Sequence, residues 1–317
     1  MDIEYLLWLQ QFRQSIQDAW TPCLEMVSLF AVTYLVLLPT FIYWTVNKRK
    51  GLFTLAALHI CVACNAVLKL TACVYRPWIR DPRILPAGNA IETATGYSFP
   101  SGHTTTATPI YGGMAIGFWH TSHMRWAAVL CILAILLTGF SRNYLGVHTP
   151  QDVGVGLLLG VLSLWGTWKL FAYLDKHPEQ ENKFLVGGIL FSVLALLYIT
   201  YKPYPLDYVD GKLLVDPQKM MNDGYKDIGA LAAFCVARYV EKRWIGFQAV
   251  GLHWKGILWG LVGLIPLVLL IMFLQKYCIL WLGPHWGRLV ARACVVGYVV
   301  ALYPAWLKFI FHQTSKK

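Results

Sequence analysis

The feature that most constrains the fold of this chain is a series of apolar runs, each long enough to cross a lipid bilayer as a helix. Such a helix needs about 20 mostly apolar residues, and residues 255–274, for example, carry a single charge, at Lys255. Charged residues make up only 14% of the 317 residues, whereas soluble globular proteins carry about 25%. The alternation of period two that a β-barrel requires is not sustained anywhere. The sequence therefore predicts an all-α, polytopic membrane protein with one membrane domain.

The apolar runs divide the chain into nine predicted spans. They lie near residues 22–46, 52–75, 100–119, 126–142, 152–174, 184–201, 226–241, 255–274 and 287–311. Six spans within residues 21–201 form a predicted core, and residues 202–317 add about three transmembrane helices to the same membrane domain. Residues 1–20 lack the basic segment of a cleavable signal peptide. Because their apolar residues fall on one helical face, we expect an amphipathic helix at the membrane interface.

Basic residues in the short loops predict the orientation of the bundle. With nine spans, most of these residues fall on one side of the membrane: Lys48, Arg49, Lys50, Arg125, Lys176, Lys183, Lys242, Arg243, Lys316 and Lys317. The positive-inside rule assigns that side to the cytoplasm. The N-terminus is then outside and the C-terminus cytoplasmic, and we expect a bacterial cytoplasmic membrane. Arg76, Arg80 and Arg83 depart from the rule on the outer face. Because the net charge of +11 is spread over loops, it does not indicate a nucleic-acid-binding protein.

The eight cysteines are scattered along the chain, and most lie inside apolar segments. Cys61 and Cys64 form a CxxC motif, but this motif falls within the second predicted span. Buried cysteines commonly act as small packing residues. We therefore expect neither metal binding nor redox chemistry at this motif.

A first polar cluster ends the second span, where Lys69 and Arg76 stand seven residues apart. Seven residues make about two helical turns, so both side chains lie on one face near the same membrane boundary. They could be cations that extend to the interface from a helix end. However, a charge as deep as Lys69 costs about 2.5–3.5 kcal/mol on insertion scales. That cost favours a polar partner or an anionic ligand.

A second cluster, SFPSGHTTT at residues 98–106, opens the third span. Ser98 is a candidate N-cap, and Pro100 suits the first turn of a helix. Ser101 and Gly102 would then leave first-turn N–H groups open to a ligand, with His103 beside them. A helix N-terminus with open amides binds phosphate readily. The alternative is a helix cap with an incidental histidine.

A third cluster lies between the fourth and fifth spans, where Arg142 precedes His148 and Asp152. Thr149 and Asp152 fit a capping pattern, so the carboxylate could serve only as a helix cap. Alternatively, it could hold one nitrogen of His148, which fixes the tautomer and makes the other nitrogen nucleophilic. The span count places all three clusters at the outer boundary. Together they supply cations, helix amides, two histidines and a carboxylate, which suits a transferring phosphoryl group.

The three clusters also agree with a known family in order and spacing. The chain reads Lys69-x6-Arg76-Pro77, then Pro100-Ser101-Gly102-His103, then Ser141-Arg142-x5-His148-x3-Asp152. This pattern resembles the signature of the type 2 phosphatidic acid phosphatase superfamily. The resemblance covers residues 69–152 and implies a six-helix phosphatase core. The small bacterial members of this family have about six spans in total and lack the additional C-terminal spans predicted here. Glucose-6-phosphatases and sphingosine-1-phosphate phosphatases have about nine or ten spans in total.

The resemblance assigns a role to each matching residue. His148 would be the nucleophile that forms a phosphohistidine, Asp152 its orienting partner, and His103 the general acid and then base. The phosphate would be held by Lys69, Arg76, Ser101, Gly102 and Arg142. The family needs no metal and no other cofactor. Asp152 is the only acid within the three clusters, so a two-metal site would have no ligands.

The sequence analysis thus favours a membrane phosphatase that acts on a lipid phosphate from the extracytoplasmic side. Its expected partners are the lipid phosphate and membrane lipids. A phosphatase for a soluble sugar phosphate, a phosphate transporter or binding protein, and transfer to an acceptor other than water stay open. Residues 202–225 could be a lid but are expected to be a connector. Asp227 and Arg292, near the late spans, could pair or line a cavity.

Overall fold

The structure, a computed structural model, describes residues 2–119 and 121–312 and shows a helical bundle. Its helices are α1 Asp2–Ser15, α2 Thr21–Thr33, α3 Leu37–Phe41, α4 Lys48–Ala72, α5 Pro77–Arg80, α6 Gly102–Trp119, α7 Arg125–Tyr144, α8 Pro150–Lys176, α9 Glu181–Tyr201, α10 Pro217–Val240, α11 Trp254–Leu269, α12 Gln275–Gly297 and α13 Tyr303–Ile310. The strands β1 Tyr208–Val209 and β2 Lys212–Leu213 pair as a short antiparallel hairpin. Lys316 and Lys317, predicted to be cytoplasmic, lie outside the described residues.

Five helical stretches among the described residues are long and apolar enough to cross a membrane, and the bent pair of α2 and α3 makes a sixth. The longest runs from Trp254 to Ile310, over 57 residues. At 1.5 Å per residue it would extend about 85 Å, well over twice the hydrocarbon thickness of a bilayer. This stretch must therefore fold back on itself.

The fold-back occurs at Gly283, whose φ of 77° lies outside the helical region. The hydroxyl of Tyr298 donates to the carbonyl of Gly263 at 2.9 Å, and that of Tyr303 donates to Trp259. Both contacts join residues at similar distances before and after Gly283, as in an antiparallel hairpin. The two arms of this hairpin correspond to the eighth and ninth predicted spans, and the ninth begins earlier than predicted.

Two further helices, α6 and α10, are too polar for the apolar-span test yet pack inside the bundle. Helix α10 contacts α4, α9 and α12 and begins at Pro217 rather than at residue 226. Asp216 caps it by accepting a hydrogen bond from the Gln218 N–H at 2.9 Å. The expectation of a plain connector over residues 202–225 is therefore wrong for its last nine residues. These residues are polar because they face a cavity instead of lipid, so a search for apolar runs does not detect this part of the helix.

The N-terminal helix α1 ends at Ser15, short of the predicted residue 20, because Gln17 and Asp18 adopt positive φ angles in a turn. The Arg13 side chain is buried, donates to the Leu85 carbonyl at 2.8 Å and pairs with Asp18 at 2.8 Å. Helix α1 is thereby attached to the segment between α5 and α6. Its placement at the membrane interface stays a prediction.

Arginines on the predicted outer face have partners that explain their departure from the positive-inside rule. Arg80 pairs with Asp2 at 2.9 Å, and Arg83 pairs with Asp81 at 2.7 Å. Arg76 enters the cluster described below. These arginines are therefore fixed by specific contacts.

At the opposite end of the bundle, the basic loops form a network of ion pairs around Glu241, whose side chain is fully buried. Glu241 accepts hydrogen bonds from Lys48 Nζ at 2.7 Å, from the Phe247 N–H at 2.9 Å and from Arg238. This network joins α4 to α10. It gathers basic residues that the sequence places on a single side.

Replacing Glu241 with alanine should lower the free energy of unfolding by about 3–5 kcal/mol, because it leaves buried cations without a partner. The matched control is Asp175→Ala. It removes a pair with Arg49 whose two side chains are 52% and 57% exposed, and it should cost about 1 kcal/mol or less. Denaturant unfolding in detergent micelles measures both. Equal, small losses would contradict a stabilising role for the buried network.

Candidate active site

Lys69 has the polar partner that its depth calls for. Its Nζ donates to the carbonyls of Tyr97 at 2.7 Å and Pro100 at 2.6 Å. The side chain is buried near the end of α4, and these carbonyls belong to the segment that precedes α6. Lys69 therefore fixes the approach to the first turn of α6 and keeps its positive charge beside it.

Arg76 joins the segments before α6 and α8. Its Nε donates to the Gly96 carbonyl at 2.7 Å, and its Nη1 donates to the Val147 carbonyl at 3.0 Å. The same Nη1 lies 2.9 Å from Nε2 of His148. Because a guanidinium only donates, Nε2 of His148 accepts and carries no proton.

His148 therefore carries its proton on Nδ1, which lies 3.3 Å from Oδ2 of Asp152. This arrangement fixes the imidazole tautomer and leaves Nε2 as the basic nitrogen. The ring is buried in the loop between α7 and α8. Burial, together with the positive charges of Arg76 and Arg142, lowers the pKa of His148 well below its usual value. The burial and the neighbouring cations thus favour the neutral form of the His148 imidazole.

Asp152 performs both of the functions that the sequence left open. Its Oδ2 accepts hydrogen bonds from the Thr149 N–H at 2.8 Å and from the hydroxyl of Ser98 at 2.5 Å, in addition to its contact with His148. The Asp152 N–H donates to Thr149 Oγ1 at 3.3 Å, which completes a capping box at the start of α8. One carboxylate thus caps a helix and orients an imidazole.

The start of α6 differs from the prediction. The helix begins at Gly102 and not at Pro100. The prediction that Ser98 is its N-cap is wrong, because the Ser98 hydroxyl bonds Asp152 and its N–H bonds the Val74 carbonyl at 2.7 Å. The Ser101 N–H is also engaged, with the Asp152 carbonyl at 2.9 Å, so it is not open to a ligand.

Gly102 and His103 have open amides at the start of this helix, which donate no hydrogen bond to any described residue. A Cβ built on Gly102 would meet no atom of a neighbouring element within 4 Å in the part of the chain that the structure describes, so there is room beside this turn. Such a helix start, with free N–H groups and room beside them, can bind a phosphoryl oxygen.

Two buried side chains beside this turn have polar atoms without partners in the described part of the chain. They are Nε2 of His103, and Nε and Nη2 of Arg142. The remaining Arg142 nitrogen, Nη1, donates to Ser28 Oγ and to Thr93 Oγ1 at 3.4 Å. Buried polar groups without partners are costly. An anion beside Arg142 would remove part of that cost.

A cavity of about 1080 Å³ opens in front of the site. Five of the predicted site residues line it: Lys69, Arg76, Gly102, His103 and His148. Ser101, Arg142 and Asp152 are buried and lie outside the lining. The structure therefore gathers the three sequence clusters at one place, while the catalytic and phosphate-binding assignments stay predictions.

The other walls of the cavity come from two sources. An apolar wall from α2, the turn after it and α4 includes Leu29, Val32, Val36, Leu58 and Val62. A polar wall from α10 and α12 includes Asp223, Lys226, Asp227, Arg288 and Arg292. The sequence suggested Asp227 and Arg292 as possible lining residues, and both do line the cavity. Asp223 and Lys226 were not among the residues predicted from the sequence. Lys226 and Asp227 follow Asp223 by three and four residues, and on a helix this spacing places all three side chains on one face.

Comparisons with known proteins agree with the motif assignment. Residues 50–176 match the model of the PAP2 superfamily, and this region includes all three clusters. An undecaprenyl-diphosphatase of Sulfolobus acidocaldarius is 42% identical over 114 residues, which cover 36% of this chain and 52% of that protein. A phosphatidylglycerophosphatase B of Bacillus subtilis is 29% identical over 35% of this chain and 53% of that protein.

A third relative is a dihydrosphingosine 1-phosphate phosphatase of Schizosaccharomyces pombe, 29% identical over 147 residues. That match covers 43% of this chain and 33% of the relative, so the chain spans about a third to a half of the length of these three proteins. No solved structure matches the chain significantly. The family match, the agreement of these relatives and the site geometry lead to one assignment. Over residues 50–176, the chain is similar to the PAP2 superfamily.

Proposed function

We propose that this chain is an integral-membrane phosphatase that hydrolyses a lipid phosphate monoester through a phosphohistidine at His148. The observation that carries this proposal is the fixed tautomer of His148. Its Nδ1 faces Asp152 at 3.3 Å, its Nε2 lies 2.9 Å from Arg76, and the residue lines the cavity. A site that only bound an anion would need cations and would have no use for an oriented, neutral imidazole.

In the first step, Nε2 of His148 attacks the phosphorus atom and forms an N–P bond while the bond to the ester oxygen breaks. Arg76 Nη1 transfers its hydrogen bond from Nε2 to a phosphate oxygen. The negative phosphoryl group also offsets the surrounding positive charge, which favours a protonated His103. That imidazolium gives its proton to the leaving oxygen and releases the lipid alcohol.

In the second step, water attacks the phosphohistidine. His103, now neutral, accepts a proton from the water, the new O–P bond forms and the N–P bond breaks to release inorganic phosphate. Lys69, Arg76 and Arg142 supply positive charge, and the amides of Gly102 and His103 supply N–H donors, for the oxygens of both transition states. Asp152 stabilises the positive charge that develops on the His148 ring.

A lipid substrate is supported by the apolar wall of α2 and α4 and by the named activities of the relatives, which include a phosphatidylglycerophosphatase and a dihydrosphingosine 1-phosphate phosphatase. The site lies at the end of the bundle opposite the ion pairs of Lys48 and Lys242, which supports an extracytoplasmic active site.

The polar wall of α10 and α12 favours a second candidate, a soluble sugar phosphate. The rates at which the purified chain releases phosphate from a lipid phosphate and from a sugar phosphate distinguish the two candidates.

Phosphate release should persist unchanged in EDTA and be inhibited by vanadate, a mimic of five-coordinate phosphorus. The proposed chemistry uses only side chains, and no three His, Cys, Asp or Glu residues of the described chain are placed to hold a metal ion. The measurement is release of inorganic phosphate from lipid phosphates in detergent micelles, before and after chelation. Recovery of activity only on addition of a divalent metal would contradict this mechanism.

A further inference from the structure

The polar wall of α10 places a carboxylate beside the proposed phosphate site. A Cβ built on Gly96 would lie 3.5 Å from Cδ of Lys69 and 3.9 Å from Oδ2 of Asp223. The carbonyl of the same Gly96 accepts the hydrogen bond from Arg76. Asp223 is held there by Thr95, whose hydroxyl donates to Oδ2 at 2.5 Å. Asp223 and the phosphate-binding cations therefore meet at the same short segment.

The depth of the neighbouring residues follows from how α10 packs on α4. Leu70 contacts Gly224, and the ring of His59 lies 5.3 Å from that of Phe234, so the two helices are antiparallel. In this register Asp223 lies near the level of Lys69. Asn65, one helical turn below Lys69, lies near the level of Asp227.

Asn65 is an independent sign that this part of the cavity takes a ligand. Its side chain is 3% exposed and lines the cavity, yet its Oδ1 has no hydrogen-bond partner among the described residues. A buried carbonyl oxygen without a donor costs stability, so it is expected to have a use. A hydrogen-bond donor of a substrate would satisfy it.

The two carboxylates of this region, Asp223 and Asp227, have a single cation within ion-pair distance among the described residues. Lys226 Nζ lies 2.7 Å from Asp223 and 3.8 Å from Asp227, so one ammonium group is shared by two carboxylates. Of the α12 arginines, Arg288 lies near the level of Asp227, and Arg292 lies deeper but its charge still acts on Asp227. His285 stacks on Tyr225 and Leu289 contacts Gly229, which places Arg292 about 13 Å below the level of Asp223 at 1.5 Å per residue.

We infer that Asp223, together with Asp227 and Asn65 one turn deeper, forms an acceptor subsite for an ammonium group carried near the phosphate ester of the substrate. This inference rests on the proposed function and names its substrate class, a long-chain amine phosphate of the sphingoid-base type. The ammonium pairs with Asp223, a neighbouring hydroxyl reaches Asn65, and the chain lies on the apolar wall of α2. A second phosphate group would instead meet the Asp223 carboxylate and be repelled.

The test compares kcat/KM for two single-chain phosphate monoesters that differ at this group: dihydrosphingosine 1-phosphate, which carries the ammonium, and lysophosphatidate, which does not. The wild-type chain should prefer the first by roughly tenfold or more, since a charge-assisted hydrogen bond contributes about 1.5–3 kcal/mol. Asp223→Asn keeps the shape and should lower that preference by roughly 10- to 100-fold. Its kcat/KM for lysophosphatidate should fall by a smaller factor than its kcat/KM for dihydrosphingosine 1-phosphate.

The matched control is Asp207→Asn, which changes a carboxylate that accepts from Tyr75 at 2.5 Å outside the cavity. It should leave the preference unchanged. If Asp223→Asn fails to fold by size-exclusion chromatography, Asn65→Leu removes an acceptor without unpairing a charge and should also lower the preference. Equal losses on both substrates, or no preference in the wild-type chain, would overturn the inference. No phosphate release from any lipid by the wild-type chain would contradict the proposed function itself, and the subsite with it.

Discussion

Replacing His148 with alanine is expected to lower kcat for phosphate release by at least about 10⁴-fold, because loss of a covalent nucleophile removes the whole reaction path. The His148 ring is buried and bonded to Arg76 and Asp152, so another side chain cannot take its place without moving the loop. Steady-state phosphate release and thermal unfolding in detergent measure the two effects separately. Full activity in the folded variant would contradict the assignment of His148 as nucleophile.

A trapping experiment gives this prediction a second readout. Rapid acid-free quenching of the wild-type chain with a ³²P-labelled lipid phosphate should reveal a phosphoenzyme that is stable to base and labile to acid, as a phosphohistidine is. The label should be absent from His148→Ala. The matched control is His123→Ala, which removes an exposed histidine between α6 and α7 and should retain both turnover and label. Labelling of a serine or an aspartate would point to a different nucleophile.

Replacing Asp152 with asparagine should lower kcat by about 10²–10⁴-fold, in line with the loss of an orienting carboxylate in histidine-based catalysis. The amide fits the same space, but it cannot stabilise positive charge on the His148 ring as the N–P bond forms. The Asp152 carboxylate accepts hydrogen bonds from the Ser98 hydroxyl and the Thr149 N–H through a single oxygen, and the amide must accept both of them as well. The measurement is kcat on a lipid phosphate at saturating concentration.

The helix-cap function of Asp152 can be separated from its catalytic function. Thr149→Ala removes the hydroxyl that accepts the Asp152 N–H and leaves the carboxylate in place. It should cost about 1 kcal/mol of stability, as for other N-cap residues, with a much smaller loss of kcat than Asp152→Asn shows. If the two variants lose kcat equally, the carboxylate acts on catalysis only through the helix start.

The location of the site could be predicted from the sequence because its residues stand at helix ends in a fixed spacing. Lys69 lies in the last turn of one helix, His103 opens another, and a loop of a few residues separates Arg142 from Asp152. The predicted shared helix for Lys69 and Arg76 is wrong, because α4 ends at Ala72 and Arg76 lies in extended backbone beyond it. In a membrane bundle, chain direction alternates from span to span, so the face of each loop follows from counting spans. That arithmetic correctly placed the three clusters together. The Ser98 prediction failed because a local capping pattern cannot reveal a partner 54 residues away.

The polar residues of α10 show a second limit. Periodicity of apolar residues predicts the spans that face lipid, but α10 faces a cavity along part of its length, and the polar sequence of its first turns is typical of a connector. Nothing local distinguishes a polar cavity-lining helix from a polar loop. Only the antiparallel contact with α4 shows that Asp223 lies beside Lys69, and this contact joins residues far apart in the chain.

The sequence by itself determined the all-helical membrane class, the three motifs and the end of the bundle where they meet. These properties depend on hydrophobicity and on short spacings along the chain. Only the tertiary structure decided the tautomer of His148 and the polar wall opposite it. Arg76, 72 residues from His148, sets the tautomer through one hydrogen bond. Helices α10 and α12 supply the polar wall. Both depend on which distant side chains packing brings within a few ångströms, and hydrogen bonds and charge pairs act only at that range.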